Sequence, residues 1–309
     1  MEIVVLGSGA GGGFPQWNCN SQASNRARHG DPKAKSRTQS SLAVCANGKD
    51  WVLLNASPDI RHQINTTPAL YPAEGLRHSP ISAVLLTNAD VDHVAGLLTL
   101  RESHPFAIYG TGRVLDVLGA NSIFNVVNPD LVPRRPFGLG QTVDIRGTDD
   151  SDLGLRVELF GVPGKVALWL EDESKGANFG SVEEDTIGLR IEEIQSGKSF
   201  YYIPGCAAVP NELKARVNGT DLLFFDGTTW TDDEMPRMGL GPKTGKRMGH
   251  ICMSGAEGSI AAFAEVSIGK RVFVHINNSN PALLEDSEER KEAEKAGWII
   301  SEDGMEFRL

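Results

Sequence analysis

The chain has 309 residues, 40% of them apolar, which is enough for one enzyme-sized domain with a well-buried core. Its 30 basic against 40 acidic residues, a formal net charge of -10, argue against nucleic acid as the main partner and against a membrane surface, because both require clustered cations. The start MEIVVLGSGAGGG has no basic run, and its apolar stretch is too short for a signal or spanning segment, so the cytoplasm is the expected location. Cys19, Cys45, Cys206 and Cys252 are widely scattered without a C-x-x-C pair, which predicts reduced thiols rather than a disulfide framework.

In chain order, EIVVLGS reads as a buried strand, and SSLAVCANGKDWVLLNASP as a hairpin whose Asn47-Gly48 supplies the positive φ angles of a tight turn. Between them Gly7, Gly9 and Gly12 satisfy G-x-G-x-x-G. However, Gly13, Phe14 and Pro15 follow where a dinucleotide fold needs a helix, and residues 18–36 are polar without apolar periodicity. A glycine-rich turn allowing close backbone approach is expected there instead. ISAVLLT is the next strand, and the helix after it carries Val94, Leu97, Leu98 and Leu100 at helical spacing. From residue 101 to 170 short strands predominate, among them RVELFGV and ALWLED, and helical patterns are sparse. The last third alternates: SFYYIPG, DLLFFDG and RVFVHIN as strands, with ELKARVNG, GSIAAFAEVSIG and SEERKEAEKAG as helices. Two halves of similar make-up predict an α/β fold of two β-sheets packed face to face with helices outside, an αββα sandwich forming a single domain over residues 1–309.

The chemistry begins at residues 87–97, TNADVDHVAGL, between a strand and a helix. There Asp92 and His93 can aim an oxygen and an imidazole nitrogen at one point, and a helix start tolerates the carboxylate. Taken alone, the stretch reads either as a metal loop or as a solvated acidic loop with a capping histidine. His275, at the end of the apolar strand RVFVHIN, is costly to bury unless its ring is paired or ligated; it reads as a ligand or as a satisfied core histidine. His250, after Gly249, reads as a site residue or as a helix cap.

Together the segments T-N-A-D-V-D-H, YYIPGC, LLFFDGTTW, MGHICMSG and VFVHINNSNP resemble the metallo-β-lactamase superfamily, in particular the branch that includes ribonuclease Z. More closely, GSGAGGGFPQWNC, RTQSS, LLNASPDIR, LLTLRE, GKRMGH and VHINNSNP are similar to the pyrroloquinoline quinone (PQQ) biosynthesis protein B family, a match running from the first strand to the last. The superfamily motif is H-x-H-x-D-H, and its hydrolytic members bind two zinc ions. Here Asn88 and Asp90 replace the two leading histidines, no histidine lies between His104 and His250, and Cys206 is the nearest match to the expected bridging aspartate. What remains is Asp92, His93 and His275. Two histidines and a carboxylate form the facial triad of non-haem iron(II) oxygenases, with open positions for substrate and dioxygen. Asn88, Asp90 and Cys206 are expected to line the site.

The resemblance implies iron(II)- and dioxygen-dependent hydroxylation of the tyrosine ring in a small cross-linked glutamate-tyrosine precursor of PQQ. It implies one iron(II) per chain, with zinc able to substitute in purified protein. The alternatives are a carrier moving PQQ or its precursor to the periplasm, and a divergent metal hydrolase. A carboxylate at the FFDGTT position partners the histidine of the GH motif in the ribonuclease Z branch, so Asp226 and His250 are expected to form a catalytic dyad, or else a structural hydrogen bond. Lys243, Lys246 and Arg247, with Arg37 and Arg61, are the candidates for holding the substrate carboxylates, although a basic run also reads as a solvated face. Many family members carry C-x-C-x-x-C after the tryptophan. NCNSQAS keeps only Cys19, with Ser21 and Ser24 in place of thiolates, so no structural zinc is expected and residues 18–29 should be more mobile than in zinc-bearing relatives. No nucleic-acid or membrane partner is expected, and a homodimer is allowed.

Overall fold

The computed structural model describes residues 1–176 and 179–309. The first half of the chain supplies β1 (Glu2–Gly7), β2 (Ser41–Cys45), β3 (Trp51–Leu54), β4 (Ile81–Leu85), β5 (Ala107–Gly110) and β6 (Arg134–Pro136). The second half supplies β7 (Thr142–Arg146), β8 (Asp152–Gly161), β9 (Ile187–Glu193), β10 (Ser199–Ile203), β11 (Thr220–Asp226), β12 (Ile268–Val274) and β13 (Trp298–Ile300), and β14 (Glu306–Arg308) returns to the first sheet. Among the described residues the sheet orders are β14-β1-β2-β3-β4-β5-β6 and β13-β12-β11-β10-β9-β8-β7. Each sheet has a parallel part, β3 to β6 in one and β10 to β13 in the other, and an antiparallel remainder.

Three apolar layers hold this together. Ile3, Leu42, Val52, Leu85, Val157, Phe200, Tyr202, Phe224 and Val272 meet between the sheets. Leu53, Val84 and Ile108 face outward onto Ile60, Leu97, Val114 and Leu118 of the covering helices. Ile203, Phe225 and Phe273 do the same on the other sheet against Leu213, Val217 and Phe263. β11 therefore reads as a continuous apolar run because both of its faces are covered: Phe224 points inward and Phe225 outward. This is the predicted αββα sandwich, and both halves of the chain contribute to the inner layer.

Several local expectations are corrected. In the β2–β3 hairpin only Gly48 has positive φ (78°), while the Asn47 side chain accepts from the Lys49 and Asp50 amides, so the connection is a longer Asx-type loop. ALWLED is not a strand: Leu168–Leu170 forms a 3-10 turn, because its donors are turned toward the residue 88–90 loop. Helix Gly112–Ala120 sits in the region read as strand-rich; flanking glycines masked its apolar pairs, and Thr111 caps it by accepting from the Val114 amide. GSIAAFAEVSIG is helical only over Ser259–Ala262. Residues 18–29, read as polar without apolar periodicity, contain helix Gln22–Arg28, with Ser21 as its cap, Ser24 Oγ donating to Asn278 Oδ1, and Arg26 paired to Asp31 and Asp286. The glycine-rich turn is a packing device: Gly9 bridges both Gln39 and Ile276, and a Cβ on Gly7 would stand 2.1 Å from the Gln39 carbonyl oxygen.

Candidate metal centre

The C-terminal ends of β4, β11 and β12 open at the same edge of the sandwich, where α/β sheets place their sites. After β4 the chain turns into the short helix Val91–Val94, which Asp90 starts by accepting from the amides of His93 (2.9 Å) and Val94 (3.1 Å). This turn presents Asp92 and His93 together. His275 follows directly on β12 and adopts φ 57°, a left-handed conformation uncommon for any residue with a side chain. His250 follows the helix Gly245–Met248, whose last turn is reversed by Gly249 at φ 88°.

Asp92, His93 and His275 offer ligand atoms that all lie within 4.8 Å of one another. Asp92 Oδ2 is 3.0 Å from His275 Nε2 and 3.8 Å from His93 Nε2. The protons of His93 can be assigned. Asn88 Oδ1 accepts from the Asp90 amide at 3.0 Å, which identifies that atom as the oxygen, and it lies 2.7 Å from His93 Nδ1. His93 Nδ1 must therefore donate to it, so in the neutral ring Nε2 carries a lone pair. That Nε2 is buried and has no hydrogen-bond partner, an arrangement that costs free energy unless a cation fills it. Two imidazoles and a carboxylate suit zinc or iron(II). The residues present fit a divalent ion, and Asn88 orients His93 by accepting from its Nδ1.

The electrostatics agree. Burial holds the His93 pKa down to about 4, so it is neutral at ordinary pH. Burial works against ionisation of Asp92, yet the adjacent His93 and His275 outweigh it and keep its carboxyl below the usual range. For His275 burial opposes a positive charge, but the hydrogen bond and charge of Asp92 raise its pKa. Asp90 goes the other way: burial and the neighbouring Asp92 push its carboxyl up. It does not join the donor cluster, and its Oδ1 accepts from the Leu168 amide at 3.0 Å.

Beside the triad stands a second group. His250 Nδ1 is 2.6 Å from Asp226 Oδ2, and Asp226 is fully buried. His250 and His275 stack with ring centroids 5.1 Å apart. Cys206 contributes its backbone amide to Asp226 Oδ2 at 2.8 Å, while its thiol donates to the Ala208 carbonyl and burial raises its pKa. It is a neutral lining residue rather than a thiolate. A pocket of 540 Å³ reaches His250 from outside and is lined by Lys214, Lys246, Asp232 and Cys252 among others. Lys214, one turn into helix Asn211–Val217, was not singled out from sequence, because nothing there connects it with His250.

The proposed anion clamp is broken up. Arg37 is buried and donates to the carbonyls of Lys35, Ser36 and Ser301 while pairing with Glu302 at 3.2 Å, so it braces the fold instead of facing a substrate. Arg61 lines a different pocket, with His78, His104 and Leu76. Arg247 is bound by both oxygens of Glu171 at 3.1 and 2.8 Å and lies over the Phe179 ring, and Glu171 is also paired with Lys165. Lys246 is only 3.9 Å from an exposed Glu257 and keeps its place on the pocket wall. Lys243 makes no ion pair among the described residues.

Two mixed sheets, outer helices and a His/Asp cluster at one sheet edge define a metallo-β-lactamase-type protein, and a family model described as the beta-lactamase superfamily domain matches residues 50–276. Coenzyme PQQ synthesis protein B of Methylorubrum populi is 54% identical over 309 residues, covering 100% of both chains, and that of Xanthomonas oryzae is 51% identical over the same span. A crystal structure of Zn(2+)-bound PqqB from Methylobacterium extorquens superposes with a TM-score of 0.94 at 54% identity, again over 100% of both chains. The chain belongs to the coenzyme PQQ synthesis protein B family of the beta-lactamase superfamily. A diphosphatase of the PhnP family, 20% identical with a TM-score of 0.67 over 99% of this chain and 96% of the other, shares the fold.

Proposed function

We propose that this protein acts in PQQ synthesis as a mononuclear metalloenzyme that hydroxylates the tyrosine ring of a small cross-linked glutamate-tyrosine precursor, using iron(II) and dioxygen. One observation carries the metal part of the reading: the buried, unpartnered Nε2 of His93 lies beside Asp92 Oδ2, which also contacts His275 Nε2. Relatives 51–54% identical over the full length carry the name coenzyme PQQ synthesis protein B, which supports the pathway. Zinc, bound by the 54% identical PqqB, would take the same donors in purified protein.

Bound there, iron(II) would supply one-electron redox chemistry toward dioxygen, with a separate two-electron reductant needed for the oxygen atom that leaves as water; Asp92, His93 and His275 would hold the iron and leave positions open. The chain's own work lies around the ion. Asn88 keeps His93 in the metal-binding tautomer. Asp226 accepts a hydrogen bond from His250 Nδ1–H, which leaves Nε2 as the nitrogen facing the substrate phenol for proton exchange. Lys214 and Lys246, on the wall of the pocket that His250 closes, meet the substrate carboxylates. Among the described residues no helix is long and apolar enough to cross a membrane.

The test is metal analysis of protein purified without oxygen, followed by incubation of the iron-loaded protein with cross-linked glutamate-tyrosine, dioxygen and ascorbate as two-electron reductant. One iron per chain and a product heavier by ring oxygen are expected. Two equally occupied zinc ions, or hydrolysis without oxygen uptake, would overturn the proposal in favour of a hydrolase.

A further inference from the structure

The residue that joins the triad to the Asp226–His250 pair is Thr228, which is 3% exposed. Its Oγ lies 2.6 Å from Asp226 Oδ1, 2.8 Å from His275 Nδ1 and 3.1 Å from His250 Nδ1. A weaker alternative acceptor is the His275 carbonyl at 3.0 Å. A hydroxyl has one proton to give, and the surroundings decide where it goes. Asp226 Oδ1 already receives the Thr228 amide at 2.9 Å, and Oδ2 receives the Cys206 amide and the His250 ring. A carboxylate oxygen 2.6 Å from a hydroxyl oxygen requires a proton between them, and only Thr228 can supply it. With that proton committed, the Thr228 oxygen can only accept from His275, so His275 Nδ1 must be the donor and Nε2 faces Asp92.

We propose that Thr228 is a positioning residue that sets the polarity of His275. A one-way chain of donors runs from His275 through Thr228 to Asp226, on which His250 also converges. The chain has two consequences. It fixes Nε2, hydrogen-bonded to Asp92 Oδ2 at 3.0 Å, as the nitrogen that would give up its proton to an ion, as Asn88 fixes Nε2 of His93 from the other side. It also uses up the acceptor capacity of Asp226, so the neighbouring group of Asp226, His250 and His275, although close enough together to hold an ion, is closed to one. The inference rests on the metal reading of Asp92, His93 and His275 and is independent of which reaction follows.

The test compares zinc binding, by competition with a chromophoric chelator, for wild type, Thr228→Val, Thr228→Ser and His93→Ala, alongside the melting temperature of each metal-free protein. Valine keeps the shape and removes the acceptor. Thr228→Val should bind zinc roughly 10–100-fold more weakly, the range for lost outer-shell partners, and Thr228→Ser should recover wild-type affinity to within about threefold. Wild-type affinity in Thr228→Val, or serine as weak as valine, overturns the role of the hydroxyl. Unchanged affinity in His93→Ala overturns the metal centre itself, a failure distinct from that of Thr228. Should the valine protein not fold, Thr228→Ala against Thr228→Ser makes the same comparison. Long-range nitrogen NMR of the histidine rings gives a readout without any metal: His275 is expected to keep a proton on Nδ1 in wild type, and a bare Nδ1 with the proton on Nε2 alone would refute the assignment.

Discussion

The two sides of the cleft are built from the same residue types and differ in what their lone pairs are doing. On one side Asp92, His93 and His275 converge on one point, Asp92 and His275 share a hydrogen bond that an ion could replace, and the buried His93 Nε2 has no hydrogen-bond partner. On the other side Asp226 and His250 are as tightly clustered, yet every oxygen of Asp226 is taken by an amide, a hydroxyl or a ring N–H. Proximity of ligating groups is thus a poor guide to metal binding. What separates a metal position from a hydrogen-bonded brace is whether donors remain to neutralise the acceptors.

The comparison breaks most severely at the ligands. His93→Ala or His275→Ala should lower metal affinity by more than the roughly 10–100-fold of an outer-shell loss, leaving protein with far less than one ion per chain after dialysis. Elemental analysis checks this, and full occupancy in either variant would show that the open side has been misread. Next in size is His250→Ala. If the closed side handles protons, iron content should stay near that of wild type while single-turnover rate falls about a hundredfold or more. A lowered melting temperature with an unchanged rate would reduce the pair to a brace, and loss of iron would make His250 a ligand.

Asn88→Ala sharpens the contrast by removing the acceptor behind His93. An affinity loss of about tenfold is expected, with Asn88→Asp, which keeps an acceptor there, losing less. Equal losses in the two variants would mean that the tautomer of His93 is not controlled from this position. The smallest effect belongs to Arg247→Ala, which should lower the melting temperature by about 2 °C or less through loss of its solvent-screened pair with Glu171. The hydrogen bond from Arg247, against burial and with help from Lys165, depresses Glu171 from 4.5 to about 2. A carboxylate depressed in this way stabilises the fold above pH 4.5 and loses that contribution as pH falls toward 2. The difference between wild type and Arg247→Ala should therefore shrink across that interval, and a difference that grew on acidification would contradict the pairing.

Much of this was readable in the chain itself, for reasons that differ by residue. The sandwich followed from apolar runs of strand length alternating with amphipathic stretches, and β11 and β12 fall where DLLFFDG and RVFVHIN place them. Asp92 and His93 stood out as a short motif between a strand and a helix and His275 as a histidine ending an apolar strand, whereas the pairing of Asp226 with His250 came from the family resemblance rather than from the local pattern. Arg37 was not: a basic side chain in a polar segment gives no sign that three carbonyls and Glu302 will surround it. Arg247 was misjudged for a related reason, since its partner Glu171 is 76 residues away and belongs to a turn that the sequence disguises as a strand. Thr228 went unnoticed beside Asp226 because a threonine after a strand is unremarkable until three polar groups are seen to converge on it.

The backbone at His275 has an evolutionary consequence. Holding a histidine at φ 57° costs on the order of 1 kcal/mol or more, a penalty that glycine at the same position would escape. Random change toward glycine there would thus tend to be rewarded in stability while it disarmed the site. A lineage that stopped using the metal would be expected to drift away from histidine at this position sooner than at a relaxed one. The strained torsion makes position 275 a sensitive marker of whether a descendant of this fold still needs a side chain there.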